Sequence, residues 1–105
     1  MTGQPATVLA EGETLRLAGT VENGSVMDVR QQGEALISGN PDLKTVDVSG
    51  VETASSVVLS LLLSWLRHAA SQQRTLVFEG ASERLRALAA LSNLHHQLPG
   101  FAEAG

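Results

Sequence analysis

Cysteine is absent from this chain of 105 residues, and aromatic residues are few. The absence of cysteine excludes disulfides, thiolate metal sites and cysteine nucleophiles, and it is consistent with a reducing compartment. Trp65, Phe78 and Phe101 are the only aromatic residues, so the core must be built from Leu, Val and Ala. Three rings also leave little material for base stacking or an aromatic ligand cage. The composition favours a protein-packing module over a small-molecule site.

Positive charge is also scarce, since 7 Lys and Arg residues face 11 Asp and Glu residues and the formal net charge is -4. No cationic stripe is available to neutralise a row of phosphates, so we expect no nucleic-acid partner. The apolar run 57–70 is too short to cross a bilayer and contains Arg67 and His68, so we expect no membrane insertion. Residues 1–12 lack the features of a secretory signal, and we expect a cytoplasmic location.

The spacing of apolar residues and the turn residues between them predict seven elements in order. These are strands at 7–11 and 14–21, a helix from 26 to about 38, a strand at 43–48, a helix from about 55 to 72, a strand at 74–79 and a last helix capped by Ser82. Leu76, Val77 and Phe78 in succession predict that the last strand is covered on both faces. The order implies an α/β fold, a small mixed sheet of about four strands packed with three helices. The length suits one domain, residues 1–105, with a core at about 7–98.

Polar residues, most of them serine, recur at intervals of three or four along one side of the long helix: Ser56, Ser60, Ser64, Arg67 or His68, and Ser71. A solvent-facing stripe ordinarily holds Glu, Lys and Gln, so serines beside an exposed Val57 or Leu63 predict a surface that another backbone approaches closely. Trp65 supports this interpretation if its indole N–H lies at an interface, and weakens it if the ring faces the core. The alternative is that serine is simply tolerated on the surface.

The start of the long helix offers three hydroxyl groups, from Thr53, Ser55 and Ser56. We expect one of them to cap the helix, because an N-cap hydroxyl contributes about 1 kcal/mol relative to alanine. A phosphate at this position would be tolerated by the helix dipole and would place about two negative charges on the docking surface. Modification here would therefore release a bound protein.

No arrangement typical of catalysis or metal binding is evident in the sequence. Catalysis requires a nucleophile, a base and an orienting residue close together, and the histidines at 68, 95 and 96 lie far along the chain from Asp47. We therefore predict that Asp47 and Glu52 order the loop. The two adjacent histidines are expected to point in different directions on a helix and to form a poor metal pair. We therefore predict no catalytic residue, no cofactor and no metal.

An ordered series of segments resembles the layout of the STAS-domain family: LRLAGTV, TVDVSGV, ETASS, LLLSWLRHA and LVFEGASERLRALAALSNL. The resemblance covers roughly residues 7–98. The stretch 78–94 looks most like the small STAS subunits of Mla phospholipid-transport ABC transporters, the MlaB-like group. The expected fold is therefore STAS-like, as in anti-sigma-factor antagonists.

This resemblance implies a cytoplasmic, non-enzymatic subunit, held at the inner membrane by an Mla-type ATPase subunit that is complexed with its permease. The transporter maintains the lipid asymmetry of the outer membrane. We call the residues expected to bind the ATPase the docking face: Thr53, Ser55, Ser56, Val57, Ser60, Leu63, Ser64 and Arg67.

The family commonly has Asp followed by Ser or Thr at the start of this helix, and the second hydroxyl is the functional one. Here Ser55 replaces the acid and Ser56 carries the hydroxyl, while Val57 and Val58 replace the glycines of phosphorylated anti-sigma-factor antagonists. These departures favour constitutive docking. The alternative function is an anti-sigma-factor antagonist switched by phosphorylation at Ser56.

Overall fold

The structure, a computed structural model in which residues 4–101 are described, opens with a β-hairpin. Strand β1 (Thr7–Glu11) pairs antiparallel with β2 (Thr14–Gly19). Gly12 lies in the two-residue connection with φ +58, a left-handed conformation that glycine adopts without steric cost. The ends of the predicted domain 1–105, residues 1–3 and 102–105, lie outside the described residues.

Two further strands extend the hairpin into a mixed sheet. Strand β3 (Thr45–Val51) pairs parallel with β2, and β4 (Val77–Glu79) pairs parallel with β3. The order across the four-stranded sheet is β1-β2-β3-β4. The predicted α/β class with a small mixed sheet of four strands is confirmed.

Three helices accompany the sheet, as predicted. Helix α1 (Val26–Gly39) connects β2 to β3, α2 (Ser56–Ala70) connects β3 to β4, and α3 (Glu83–Leu91) follows β4. Connections between parallel neighbouring strands are almost always right-handed. Because β2, β3 and β4 follow one another in the same direction across the sheet, both connections place their helices, α1 and α2, on the same face. Within residues 4–101, none of the helices has the length and apolar character needed to span a bilayer.

Side chains from one face of the sheet and from all three helices share one buried core. Val46, Val48 and Phe78 point into it, while Asp47 alternates between the two valines and faces the other side of the sheet. On that opposite face the Arg16 guanidinium lies 3.3 Å from the Asp47 carboxylate. The helices therefore cover one face of the sheet and leave the face with Arg16 and Asp47 open.

Several predicted boundaries differ from the structure. Strand β2 ends at Gly19 instead of residue 21, β3 spans Thr45–Val51 instead of 43–48, and β4 is limited to Val77–Glu79. Helix α2 begins at Ser56 and ends at Ala70, and Gln73 just beyond it has φ +58 and breaks the helical path. Leu43 precedes β3 because its N–H donates to the Asn40 carbonyl in a turn, 3.0 Å away.

The prediction that β4 is covered on both faces is wrong. Phe78 is buried, but Val77 is 46% exposed. Strand β4 lies at the edge of a sheet whose helices cover one face, so only the side chain on that face is enclosed. Three apolar residues in a row do not distinguish such an edge strand from a central one.

Candidate protein-docking surface

The loop between β3 and α2 ends in a side-chain cap. Ser55 has an extended backbone, with φ -147 and ψ 163, and its Oγ accepts a hydrogen bond from the Val58 N–H at 3.5 Å. Its carbonyl accepts a second hydrogen bond from the same N–H. Of the three residues that could cap the helix, Ser55 is the one that does so, and its hydroxyl oxygen accepts a hydrogen bond from the first turn of α2.

Ser56 is the first residue of α2, and its side chain is exposed. Among residues 4–101, no hydrogen bond engages the Ser56 hydroxyl. The first-turn N–H groups of a helix carry a partial positive charge, so this hydroxyl lies where an anionic group is favoured. The Ser56 hydroxyl is therefore accessible to a partner or to modification.

The outer side of α2 carries the predicted small residues. Ser60 is exposed and Ser64 is half-buried, and the Ser64 hydroxyl donates to the Ser60 carbonyl at 3.0 Å. The inner side is apolar and buried; it comprises Val58, Leu59, Leu61, Leu62, Trp65 and Ala69. The short serine side chains thus lie on the surface, where a second protein could approach the α2 backbone.

Two apolar members of the docking face are less accessible than predicted. Val57 and Leu63 are half-buried and pack against the core, so the expectation that they are exposed is wrong. Both side chains remain partly exposed because they lie at the border between the apolar side of α2, which covers the sheet, and its polar side. Thr53 is likewise half-buried, whereas Arg67 is exposed.

Trp65 faces the core. Its side chain is 0% exposed, and its Nε1–H donates to the Arg30 carbonyl of α1 at 3.1 Å. The ring lies against Gly33, where a Cβ atom would overlap the indole. Trp65 therefore gives no support to the docking interpretation, because its indole N–H finds a polar partner on the neighbouring helix.

Helices α1 and α2 also enclose a polar groove that sequence reasoning missed. It is an open cavity of about 400 Å³ lined by Arg30, Glu34, Ser64, Arg67, His68 and Ser71. We call these six residues the α1/α2 groove. The four-residue spacing of Arg30 and Glu34 is a signal for an ion pair, but the sequence does not say which helix lies beside them.

A second cavity adjoins the loop that precedes α2. It has a volume of about 360 Å³ and is lined by residues 51–54 of the loop and 82–84 at the start of α3. The carboxyl ends of the parallel strands β3 and β4 meet at this edge of the sheet, which brings the two loops together. This neighbourhood was not predicted.

Of the two acidic residues near the loop, Asp47 orders the backbone, as predicted, whereas the Glu52 side chain contacts the side chain of Thr20. Asp47 Oδ1 accepts the Ser49 N–H at 2.9 Å, and Glu52 Oε1 accepts the Thr20 hydroxyl at 3.4 Å. Hydrogen bonds from the Ser49 N–H and hydroxyl hold the pKa of Asp47 below its ordinary value of 3.8, with a smaller contribution from Arg16 and partial opposition from burial.

The histidine pair differs from the expectation. His95 and His96 follow α3 in a turn instead of lying on a helix, and their ring centroids are 4.0 Å apart. They therefore face one another instead of diverging. Within residues 4–101, no three His, Cys, Asp or Glu side chains are grouped closely enough to hold a metal ion.

Two solved structures have a similar fold. The anti-sigma factor antagonist SpoIIAA in its unphosphorylated form is 16% identical, with a TM-score of 0.65, and the match covers 86% of this chain and 82% of that chain. An anti-sigma factor antagonist from Mycobacterium paratuberculosis is 18% identical, with a TM-score of 0.71, and the match covers 90% of this chain and 82% of that chain. At such low identities the likeness establishes the fold alone.

Comparison of sequences gives a narrower result. No curated protein matches the chain closely enough to count as a relative. A family model described as "Mlab, STAS domain" matches residues 7–100, from the first strand to beyond the last helix. The match covers nearly the whole chain, and the protein therefore belongs to this STAS-domain family.

Proposed function

We propose that this protein is a non-catalytic accessory subunit of an Mla-type ABC transporter. It binds the ATPase subunit and supports assembly and activity of the complex in phospholipid transport, which maintains outer-membrane lipid asymmetry. The observation that carries the proposal is the match of residues 7–100 to the family described as "Mlab, STAS domain". In this role the protein is cytoplasmic and is held at the inner membrane through the ATPase and its permease.

The outer side of α2 supports docking by a physical argument. Ser56 and Ser60 are exposed and small, so a partner backbone can approach the helix without displacing long side chains. Half-buried Val57 and Leu63 supply apolar edges beside them. The docking face thus combines small exposed residues with partly exposed apolar side chains that a partner can cover.

Co-purification tests this proposal directly. Tagged wild type and Ser56→Arg are used to capture proteins from the native membrane fraction, and bound proteins are identified by mass spectrometry. We expect wild type to recover an Mla-type ATPase with its permease and Ser56→Arg to recover neither, because the arginine side chain projects from the docking face at the start of α2. The amount of ATPase recovered should fall by at least about tenfold, because the substitution obstructs the surface that the partner contacts.

Ser92→Arg is the matched control. Ser92 is exposed at the end of α3 and lies outside the docking face. This variant should bind as wild type does, and thermal unfolding should show both variants folded. Equal recovery of the ATPase by wild type and by folded Ser56→Arg would contradict the proposed docking face.

The second candidate is an anti-sigma-factor antagonist that is switched by phosphorylation at Ser56. The accessible, unbonded Ser56 hydroxyl and the similarity to two anti-sigma-factor antagonist structures support it. Incubation with candidate anti-sigma kinases and ATP, followed by mass spectrometry, tests this function. Phosphoserine at residue 56 that is absent from Ser56→Ala would favour signalling, and a chain free of phosphoserine would remove its main support.

A further inference from the structure

The α1/α2 groove carries an excess of positive charge in a protein whose net charge is negative. Arg30 and Arg67 contribute two guanidinium groups and Glu34 one carboxylate, so the groove has one net positive charge with His68 neutral. The chain as a whole has a formal net charge of -4. The groove is therefore a local positive site on an otherwise acidic molecule.

Most polar side chains of the groove are already engaged within the protein. Arg30 Nε lies 2.9 Å from Glu34 Oε2. His68 Nε2 lies 2.8 Å from the Ser38 hydroxyl, and the Ser71 hydroxyl donates to the His68 carbonyl at 2.6 Å. Ser64 donates to its own helix. These contacts fix the walls of the groove, although the Arg30 guanidinium keeps N–H donors besides the Nε–H that contacts Glu34.

Arg67 is the exception. Its side chain is exposed, and among residues 4–101 its guanidinium has no hydrogen bond and no ion pair. Arginine presents five N–H donors in a planar fork that matches a carboxylate. Arg67 is itself a member of the docking face, about one helical turn from Ser64 and two from Ser60. The unused donors therefore adjoin the surface proposed to contact the partner.

We propose that the α1/α2 groove receives a carboxylate side chain of the partner protein, with Arg67 as the anchoring residue. This inference rests on the proposed docking function and adds the chemistry of the partner surface: an acidic residue beside a close helix contact. The engaged Arg30–Glu34 pair forms the opposite wall and needs no rearrangement for a carboxylate to reach Arg67.

The charge distribution favours a protein carboxylate over an anionic lipid surface. A membrane surface would interact with the whole chain, whose net charge of -4 opposes approach. A single acidic side chain carried by a docked partner instead meets Arg67 locally, within the Debye length of about 8 Å at physiological salt. The attraction then acts at short range and fixes the orientation of the partner.

Binding measurements with the purified ATPase–permease complex, prepared without this subunit, test the inference. We expect Arg67→Gln to weaken affinity by about tenfold and Arg67→Glu by about a hundredfold, since reversal adds repulsion between like charges. Raising the salt concentration should weaken wild-type binding more than Arg67→Gln binding, because the variant lacks the ion pair. Lys44→Glu, a charge reversal at an exposed site outside the groove, should leave affinity within about twofold.

The outcomes separate this inference from the proposed function. If Ser56→Arg abolishes binding and Arg67→Glu does not change it, the docking face stands and the carboxylate contact is overturned. If neither variant affects binding, both are overturned. A third outcome would assign the groove to lipid and overturn the inference. In that case wild type binds phosphatidylglycerol vesicles and Arg67→Glu does not, while the affinity of Arg67→Glu for the ATPase–permease complex is unchanged.

Discussion

Gly33 and Trp65 fit together where α1 crosses α2. The indole occupies the space that a side chain at residue 33 would need, and it donates to the Arg30 carbonyl one helical turn earlier. From sequence alone Gly33 is a weak point in a helix, since glycine costs about 1 kcal/mol relative to alanine. In the structure α1 continues through Gly33 because the close helix contact requires the absence of a side chain.

Replacement of Gly33 by alanine tests this fit. Overpacking against a rigid ring costs about 1–3 kcal/mol, which exceeds the gain in helix propensity. We therefore expect Gly33→Ala to lower the free energy of unfolding in urea. Gly39→Ala is the matched control in the same helix, because a Cβ atom added at residue 39 would meet nothing within 4 Å. A Gly33→Ala protein as stable as Gly39→Ala would contradict the proposed role of Gly33.

At the scale of elements, sequence predicts what depends on local patterns. The hairpin, the three helices and the serine-lined side of α2 follow from alternation, spacing and turn residues. The sequence did not predict that Trp65 points inward, that Val77 lies on an uncovered face, or that Arg67 adjoins Arg30. Each of these depends on which elements become neighbours, and the residue pattern of one element does not contain that information.

Arg74 is a similar case, since the sequence pattern predicts a strand residue and the side chain instead joins three segments. Its guanidinium donates to the carbonyls of Ile37, Asn40 and Leu43, which lie at the end of α1 and in the turn before β3. These carbonyls include groups that a helix terminus leaves unpaired, and a cation there is favoured by the helix dipole. Arg74 therefore holds the α1–β3 connection in place.

We expect Arg74→Met to destabilise the fold by about 2 kcal/mol, because hydrogen bonds from a charged donor contribute more than neutral ones. Methionine retains the apolar length of the side chain and removes the donors. Arg84→Met, at an exposed position of α3, should change the free energy of unfolding by less than about 0.5 kcal/mol. Equal losses in the two variants, measured by urea unfolding, would show that the Arg74 contacts contribute little.

For the whole molecule, the two faces of the sheet have different roles. The helices on one face provide the core, the docking face and the α1/α2 groove. The open face carries exposed polar side chains, including the Arg16–Asp47 pair. A partner bound through α2 would leave this open face in solvent, so substitutions there should affect stability and leave docking unchanged.

Asp47 on the open face makes stability depend on acid pH. Its pKa is lowered in the folded protein, chiefly by the Ser49 backbone N–H and hydroxyl, so the unfolded chain takes up a proton first as the pH falls. The stabilisation is present above about pH 4 and is lost as the pH falls through the native pKa of Asp47.

Asp47→Asn should therefore cost less than about 1 kcal/mol near pH 7, because solvent screens the Arg16 contact. The difference from wild type should be smaller at about pH 3, because below the ordinary pKa of 3.8 the unfolded wild-type chain takes up the proton before the folded protein does. Urea unfolding at the two pH values measures both terms, with Asp42→Asn, an exposed carboxylate at the turn before β3, as the control. A difference between wild type and Asp47→Asn that is independent of pH would mean that the Asp47 charge does not stabilise the fold. The role of Asp47 in ordering the loop would then depend on the hydrogen bond from the Ser49 N–H, which asparagine can also accept.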